Sequence, residues 1–297
     1  MRGPLPLLAL VVLGICSPAP GQAQGGPPLA LSAESVLLID PSGRTLFAKN
    51  ATADHAPASL VKLMTLYLAF EDVEAGRVRL NDAVTISRHA AATDRYRMGL
   101  REGEVVPLHT LMDGVGIASA NDAATALAEY LAGNEAAFVA RMNDKAAAMG
   151  LTGTRFANPH GLPHPGQRSN ARDLAVLTAR LLEDHPDSRT VLGGQTFVHR
   201  GRVYSRSIPL FQDPGGVQAL KTGFTREAGY NLSVSAWRGG QQFLTIVLGA
   251  RSRSLSFIDA RKLLRYAFVE TGLDSPPAPQ VVAKKPVQAR RATIARR

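Results

Sequence analysis

The segment from Leu63 to Phe70 reads Leu-Met-Thr-Leu-Tyr-Leu-Ala-Phe, and at helical period it is apolar almost all round. A helix with no polar face has to be covered on every side. This stretch therefore commits the chain to a core deep enough to enclose it. A helix is predicted over residues 59–70, behind Pro57, and it carries Lys62 inside its first turn. A lysine on so apolar a helix is not a casual surface charge. The chain can supply such a core: it has 297 residues, of which 45% are hydrophobic and 20% charged. That suffices for one large domain or two small ones and excludes a disordered chain.

The formal net charge of +10 points first to anionic partners. Its distribution weakens that reading. Residues 281–297 hold six basic residues (Lys284, Lys285, Arg290, Arg291, Arg296 and Arg297) and no acid. With these and Arg2 set aside, residues 24–280 carry only +3. Nucleic-acid binding by the main domain loses its support. The basic tail is left as a weak contact for membrane or an anionic polymer, or as a solvated end.

The N-terminus has Arg2, an apolar run from Leu5 to Cys16, and a small-residue exit at Gly21-Gln22-Ala23. This is the pattern of a secretory signal peptide over residues 1–23, with cleavage after Ala23, and it predicts an exported, periplasmic or cell-envelope protein. The run is short against the roughly 20 residues a membrane span needs. Ile15 is too large to precede a lipidated cysteine. Cys16 is the only cysteine, so a cleaved chain has no disulfide, thiol catalyst or zinc–thiolate site. The folded domain is assigned to residues 24–272. A Pro-rich linker and the tail occupy 273–297.

Local patterns give an element order. Residues 35–40 and 45–48 are strands around the turn Pro41-Ser42-Gly43-Arg44. Helices are predicted over 122–131, over 135–149 behind the cap Asn134, and over 170–182 with Asn170 as cap. Residues 196–206 form a small hairpin around Gly201. Strands follow at 232–236 and 243–248, and a closing helix spans 256–268. Short turns demand antiparallel neighbours. The first hairpin is expected to join the later strands in one antiparallel sheet flanked by helices, an α+β arrangement with a mainly helical middle.

Three short patterns carry chemistry. Ser59 and Lys62 lie three apart, so they share a helix face with the hydroxyl at the positive helix end. A neutral lysine there can take the serine proton. Ser119-Ala120-Asn121 precedes a helix, and Lys221-Thr222-Gly223 precedes a strand. Singly these also read as a cap with a surface lysine, an N-cap pair and a strand edge. Metal chemistry has poor support, because Gly161 and Pro163 break the helix that a His160/His164 pair would need. No cofactor is implied.

In this order and spacing, the three patterns resemble the motif set of penicillin-binding proteins and serine β-lactamases. The sequence is most similar to the D-alanyl-D-alanine carboxypeptidases, the low-molecular-weight penicillin-binding proteins. The similarity extends through Asn158-Pro159-His160-Gly161-Leu162 and Ala228-Gly229-Tyr230-Asn231-Leu232, and covers about residues 30–272. It implies a β-lactamase/transpeptidase-like fold and removal of the terminal D-alanine from peptidoglycan stem peptides. β-Lactam antibiotics would be covalent inhibitors.

By the same resemblance Ser59 is the nucleophile and Lys62 its base, and Ser119 relays a proton to the leaving amine. Asn121, Lys221, Thr222, Gly223 and Thr225 line the substrate. Arg251 meets the terminal carboxylate. The oxyanion hole is the Ser59 N–H plus one from the strand near Phe224. Two places depart from the family pattern and bear on substrate fit. Ala120 stands where glycine is more frequent, and Tyr204-Ser205-Arg206-Ser207 replaces an asparagine-rich stretch. A DD-endopeptidase cutting crosslinks shares these motifs. A class A β-lactamase needs a glutamate after the middle motif, and residues 145–172 contain no acid. A non-catalytic wall-binding protein would form no covalent adduct.

Overall fold

The computed structural model describes residues 29–274. The signal peptide expected over 1–23 lies outside the described residues, as does the tail from residue 275. The domain continues slightly past the expected boundary at 272. Leu273 packs against the core, and Asp274 pairs with Arg238.

The first hairpin is β1 (Ser35–Ile39) and β2 (Thr45–Lys49). A 3-10 turn, Ala58–Val61, then hands over to α1 (Lys62–Glu74). The α-helix therefore starts three residues later than its apolar pattern suggests. Ala58 sits at φ +50°, a conformation that interrupts helical hydrogen bonding and tightens the entry into 3-10 geometry. The middle of the chain is β3 (Ala83–Thr85), α2 (Arg88–Ala92), β4 (Val105–Pro107), α3 (Leu108–Gly116), α4 (Asn121–Ala132), α5 (Glu135–Ala148), α6 (Ala171–Asp184) and α7 (Ser188–Gly193). The small hairpin β5 (Thr196–His199) and β6 (Arg202–Ser205) follows. The chain then forms β7 (Val217–Thr225), β8 (Gly229–Arg238), β9 (Gln241–Ala250) and α8 (Arg253–Glu270).

The first hairpin does join the late strands. The main sheet is antiparallel in the order β2-β1-β9-β8-β7, with Leu38 opposite Thr245. Strand side chains alternate between the two faces, and here each face has its own core. Val36, Leu38, Val234 and Val247 pack under α8. Leu37, Leu244, Ile246 and Leu248 face the helical region. Ser233, on that second face, is buried rather than solvated, because its hydroxyl meets Thr178 of α6 at 2.8 Å.

The all-round apolar helix is enclosed as its composition requires. Leu63, Met64, Leu66 and Ala69 are fully buried, with α1 packed against α3, α4 and α6. Two caps read from sequence are present: Asn134 accepts from Ala137 N–H at 2.8 Å, and Asn170 from Asp173 N–H at 2.8 Å. Among the described residues no helix is long and apolar enough to cross a membrane.

Candidate active site

The N-terminal end of α1 meets β7, the edge strand of the sheet, and the seam is fixed by groups without bulk. A Cβ on Gly223 of β7 would lie 3.1 Å from both Ser59 N and Pro57 O. Gly161, at φ +87°, presses from the other side, where a Cβ would fall 2.0 Å from the Ala58 carbonyl oxygen. Asn231 lies opposite Gly223 in the sheet register. Its side-chain amide donates to Ala56 O at 3.0 Å and Pro57 O at 3.2 Å, and its carbonyl accepts from Gly249 N–H at 2.9 Å. Two of these bonds tie the turn carrying Ser59 to the sheet, and the third holds Asn231 in place from β9.

Lys62 is fully buried, with Nζ 3.2 Å from Ser59 Oγ. It donates to Asn121 Oδ1 at 2.7 Å and to the His160 carbonyl. A neutral amine has two N–H bonds and one lone pair. With the two N–H groups spent on Asn121 and His160, the lone pair is left for the serine hydroxyl. Burial pulls the Lys62 pKa down from 10.5 to about 7, against the opposing charge of Asp122. The amine is therefore poised to accept a proton near neutrality.

The orientation of Asn121 follows from its surroundings. Its NH2 group donates to the carbonyls of Asp94 at 2.9 Å and Arg95 at 2.6 Å, which leaves Oδ1 facing Lys62. The His160 carbonyl is held by its own loop. Asn158 closes that loop onto Gly161 N–H at 2.7 Å and Leu162 O at 3.0 Å, and Thr65 of α1 donates to Pro159 O at 2.6 Å.

A second serine–lysine pair faces the first. Lys221 Nζ donates to Ser119 Oγ at 2.8 Å and to Thr222 O at 2.9 Å. Lys221 is buried, and its pKa is driven well below 10.5, chiefly by burial and then by the positive charges of Lys62 and Arg206. Ser119 sits at φ +56°, and Ala58, just before the other serine, at φ +50°. Two strained non-glycine residues at one site are the kind of distortion that persists where surrounding contacts over-determine it.

Ser59 opens into a cavity of about 590 Å³ lined also by Asn121, Leu162, Phe224, Thr225 and Arg226. The structure brings Ser59, Lys62, Ser119, Asn121, Lys221, Thr222, Gly223 and Thr225 to this seam. It does not bring Arg251 into the cavity lining. Arg251 lines a neighbouring depression that shares Phe224 and Arg226 with the first. Ala120 is fully buried behind the site at φ −67°, with its amide on Gly114 O at 2.9 Å. No glycine is required at that position, and its methyl faces the core rather than the cavity.

Sequence reasoning missed one wall. Asp94, Arg95 and Tyr96 line the cavity opposite β7, with Arg95 and Tyr96 both at φ +45°. The signal was Asp122, a buried acid without an evident partner in the sequence. Its carboxylate accepts from the N–H groups of Met98, Gly99 and Leu100 at 2.9–3.1 Å and fixes the chain just after the wall, while Asn121 holds the wall itself through the carbonyls of Asp94, Arg95 and Tyr96.

A serine beside a buried lysine, a second serine–lysine pair across from it, and an edge strand beside Ser59 are thus gathered in one place. The sequence matches the D-alanyl-D-alanine carboxypeptidase family model over residues 22–252, and the chain belongs to that family. It is 37% identical over 247 residues to the D-alanyl-D-alanine carboxypeptidase DacC of Escherichia coli, covering 80% of this chain and 62% of that protein. Against DacF of Bacillus subtilis the identity is 34%, covering 81% and 63%. The chain thus spans less than two thirds of the length of these curated relatives. Penicillin binding protein 5 of Haemophilus influenzae superposes with a TM-score of 0.80 at 33% identity, over 82% of this chain and 73% of that one. Penicillin-binding protein D2 of Listeria monocytogenes, solved in an ampicillin-bound form, gives 0.75 at 30% identity, over 82% and 100%.

Proposed function

We propose that this protein is an exported serine-type D-alanyl-D-alanine carboxypeptidase acting on peptidoglycan stem peptides. The observation that carries the reading is the Lys62 amine, whose two hydrogens are engaged and whose lone pair faces Ser59 Oγ. Ser59 attacks the carbonyl carbon of the terminal D-Ala–D-Ala bond as its proton passes to Lys62. The negative charge on the carbonyl oxygen is met by the Ser59 N–H and an N–H from β7 beside it. Ser119, bonded to Lys221, relays to the departing amine of D-alanine the proton that Lys62 took, which returns Lys62 to its neutral form. Water then hydrolyses the acyl-enzyme.

The terminal carboxylate of the substrate is assigned to Thr225, Thr222 and the field of Lys221. Arg251 contributes from the adjoining depression. Two lysines and Arg206 crowded together do not all hold their protons easily, and an incoming carboxylate supplies the missing counter-charge. The same site accepts β-lactams. Slow release of the adduct is expected, because residues 145–172 hold no acid to activate a water and the His160 carbonyl is the group that segment turns towards Lys62.

The test is incubation with labelled penicillin followed by peptide mapping, alongside D-alanine release from uncrosslinked and crosslinked muropeptides. The label is expected on Ser59, absent in Ser59→Ala, with D-alanine released from uncrosslinked peptide. Folded protein that takes no label, or that turns penicillin over rapidly, overturns the reading. Preferential cleavage of crosslinks would make it an endopeptidase.

A further inference from the structure

We infer that Arg206 is a positioning residue that locks Lys221 and Ser119 into one geometry. This rests on the carboxypeptidase reading for its substrate, but it concerns a side chain outside the three motifs. Arg206 follows the β5–β6 hairpin, in the stretch where the family pattern is departed from. Its guanidinium donates to four backbone carbonyls: Gly194 at 2.7 Å, Leu220 at 3.0 Å, Gly116 at 3.2 Å, and Leu192. These oxygens belong to three elements. Gly116 ends α3, three residues before Ser119. Leu192 and Gly194 lie at the end of α7. Leu220 is the residue of β7 immediately before Lys221.

The three elements approach closely because glycines leave them room. A Cβ on Gly116 would fall 2.1 Å from Val191 Cγ1, and one on Gly193 would fall 2.4 Å from Gln218 O of β7. Carbonyl oxygens from α3, α7 and β7 are thereby gathered within reach of one planar, five-donor group. A guanidinium can satisfy four acceptors in a plane, whereas an ammonium is a single point with three donors. Phe211 covers the group, with its ring centre 5.2 Å from Cζ.

Among the described residues no carboxylate pairs with it, and burial pulls the Arg206 pKa from 12.5 to about 10. A cation held by carbonyl dipoles, without a counter-ion, keeps its field. The charged groups acting on Lys221 are Arg206 itself and Lys62 of α1, both positive. Arg206 thus does two things at Lys221. It fixes the carbonyl on the preceding residue, and it places a positive charge beside the amine.

The test compares Arg206→Lys and Arg206→Gln with the unsubstituted protein. Acylation rate by labelled penicillin and peptide kcat/KM are both expressed per labelled site, and pH profiles and melting temperatures are recorded in parallel. Both variants are expected to lose on the order of ten- to a hundred-fold in acylation rate per labelled site, as for a displaced catalytic group. In Arg206→Gln the limb on which Lys221 loses its proton moves to higher pH, because a neighbouring positive charge is gone. In Arg206→Lys that limb stays. Rates per labelled site and pH limbs unchanged in both variants overturn the inference and leave Arg206 a stabilising residue only. If the unsubstituted protein takes the label but cuts no D-Ala–D-Ala peptide, the carboxypeptidase reading fails, and the positioning role is still decided by the acylation rates.

Discussion

The two serine–lysine pairs of this site are built in opposite ways. Ser59 and Lys62 are three residues apart on one continuous turn. Ser119 and Lys221 are 102 residues apart and meet only because the connection between α3 and α4 comes up against β7. Their electrostatic settings differ as well. Lys62 is desolvated but has Asp122 nearby, and its pKa settles at about 7. Lys221 is desolvated among cations alone. The first pair is set for proton exchange at neutrality. The second is an amine short of negative charge, and a substrate anion relieves it. Under the proposed function, the contrast fits proton transfer at the local pair and substrate recognition, with leaving-group protonation, at the remote one.

Substitutions at the local pair should give the largest effects. Ser59→Ala and Lys62→Ala are each expected to lower kcat by about 10³-fold or more, as in other hydrolases whose residues act as a unit. A loss under tenfold for either would remove the roles assigned here. The next test is at the junction between the pairs. Gly223→Ala puts a methyl 3.1 Å from Ser59 N, where the oxyanion should sit. A fall of about 10²-fold in kcat is expected, the size of losing one oxyanion donor. A normal rate would place the oxyanion elsewhere.

The pairs also separate by pH. The Lys62 pKa is depressed in the fold, so the unfolded chain binds more protons between pH 7 and 10.5, and folded stability from this group rises with pH across that window. Below pH 7 the fold bears the full cost of a charged buried amine. Lys62→Met should therefore melt above the unsubstituted protein at pH 6, while remaining inactive, with the gap shrinking towards pH 10. Calorimetry at the two pH values checks this, and a gap that widens with pH would contradict it. The kcat/KM of the unsubstituted protein should rise through about pH 7 as Lys62 becomes neutral. The smallest effect is expected at Arg251, outside the cavity lining. Arg251→Ala should raise KM a few-fold with kcat unchanged. An effect as large as that of Lys221→Ala would show that its side chain swings into the cavity.

The same contrast explains what could be read in advance. The Ser59/Lys62 pair was legible because helical spacing is a local rule and an all-apolar helix must be buried. The antiparallel sheet followed from short turns and alternating strands. The short elements β3, β4 and α7 carried too few residues for a periodic signal. Arg251 was placed by the resemblance alone, and a resemblance does not say towards which depression a long side chain leans. The Asp94–Tyr96 wall left no local pattern, since its left-handed residues are not glycines and its anchor, Asn121, lies more than twenty residues downstream. Arg206 looked like a departure from a substrate-facing stretch, and its four carbonyl partners come from segments that only the folded chain assembles.

One consequence concerns timing rather than geometry. β1, at the start of the described chain, pairs with β9, more than two hundred residues later, and β7 packs the Ser59 turn only when it is docked between α7 and β8. Contacts of such sequence separation form late and slowly. Ser59 and Lys62 share one turn, but the wall beside them depends on these distant contacts. Under the proposed function, acylation by penicillin would therefore report closure of the sheet as well as the presence of the serine.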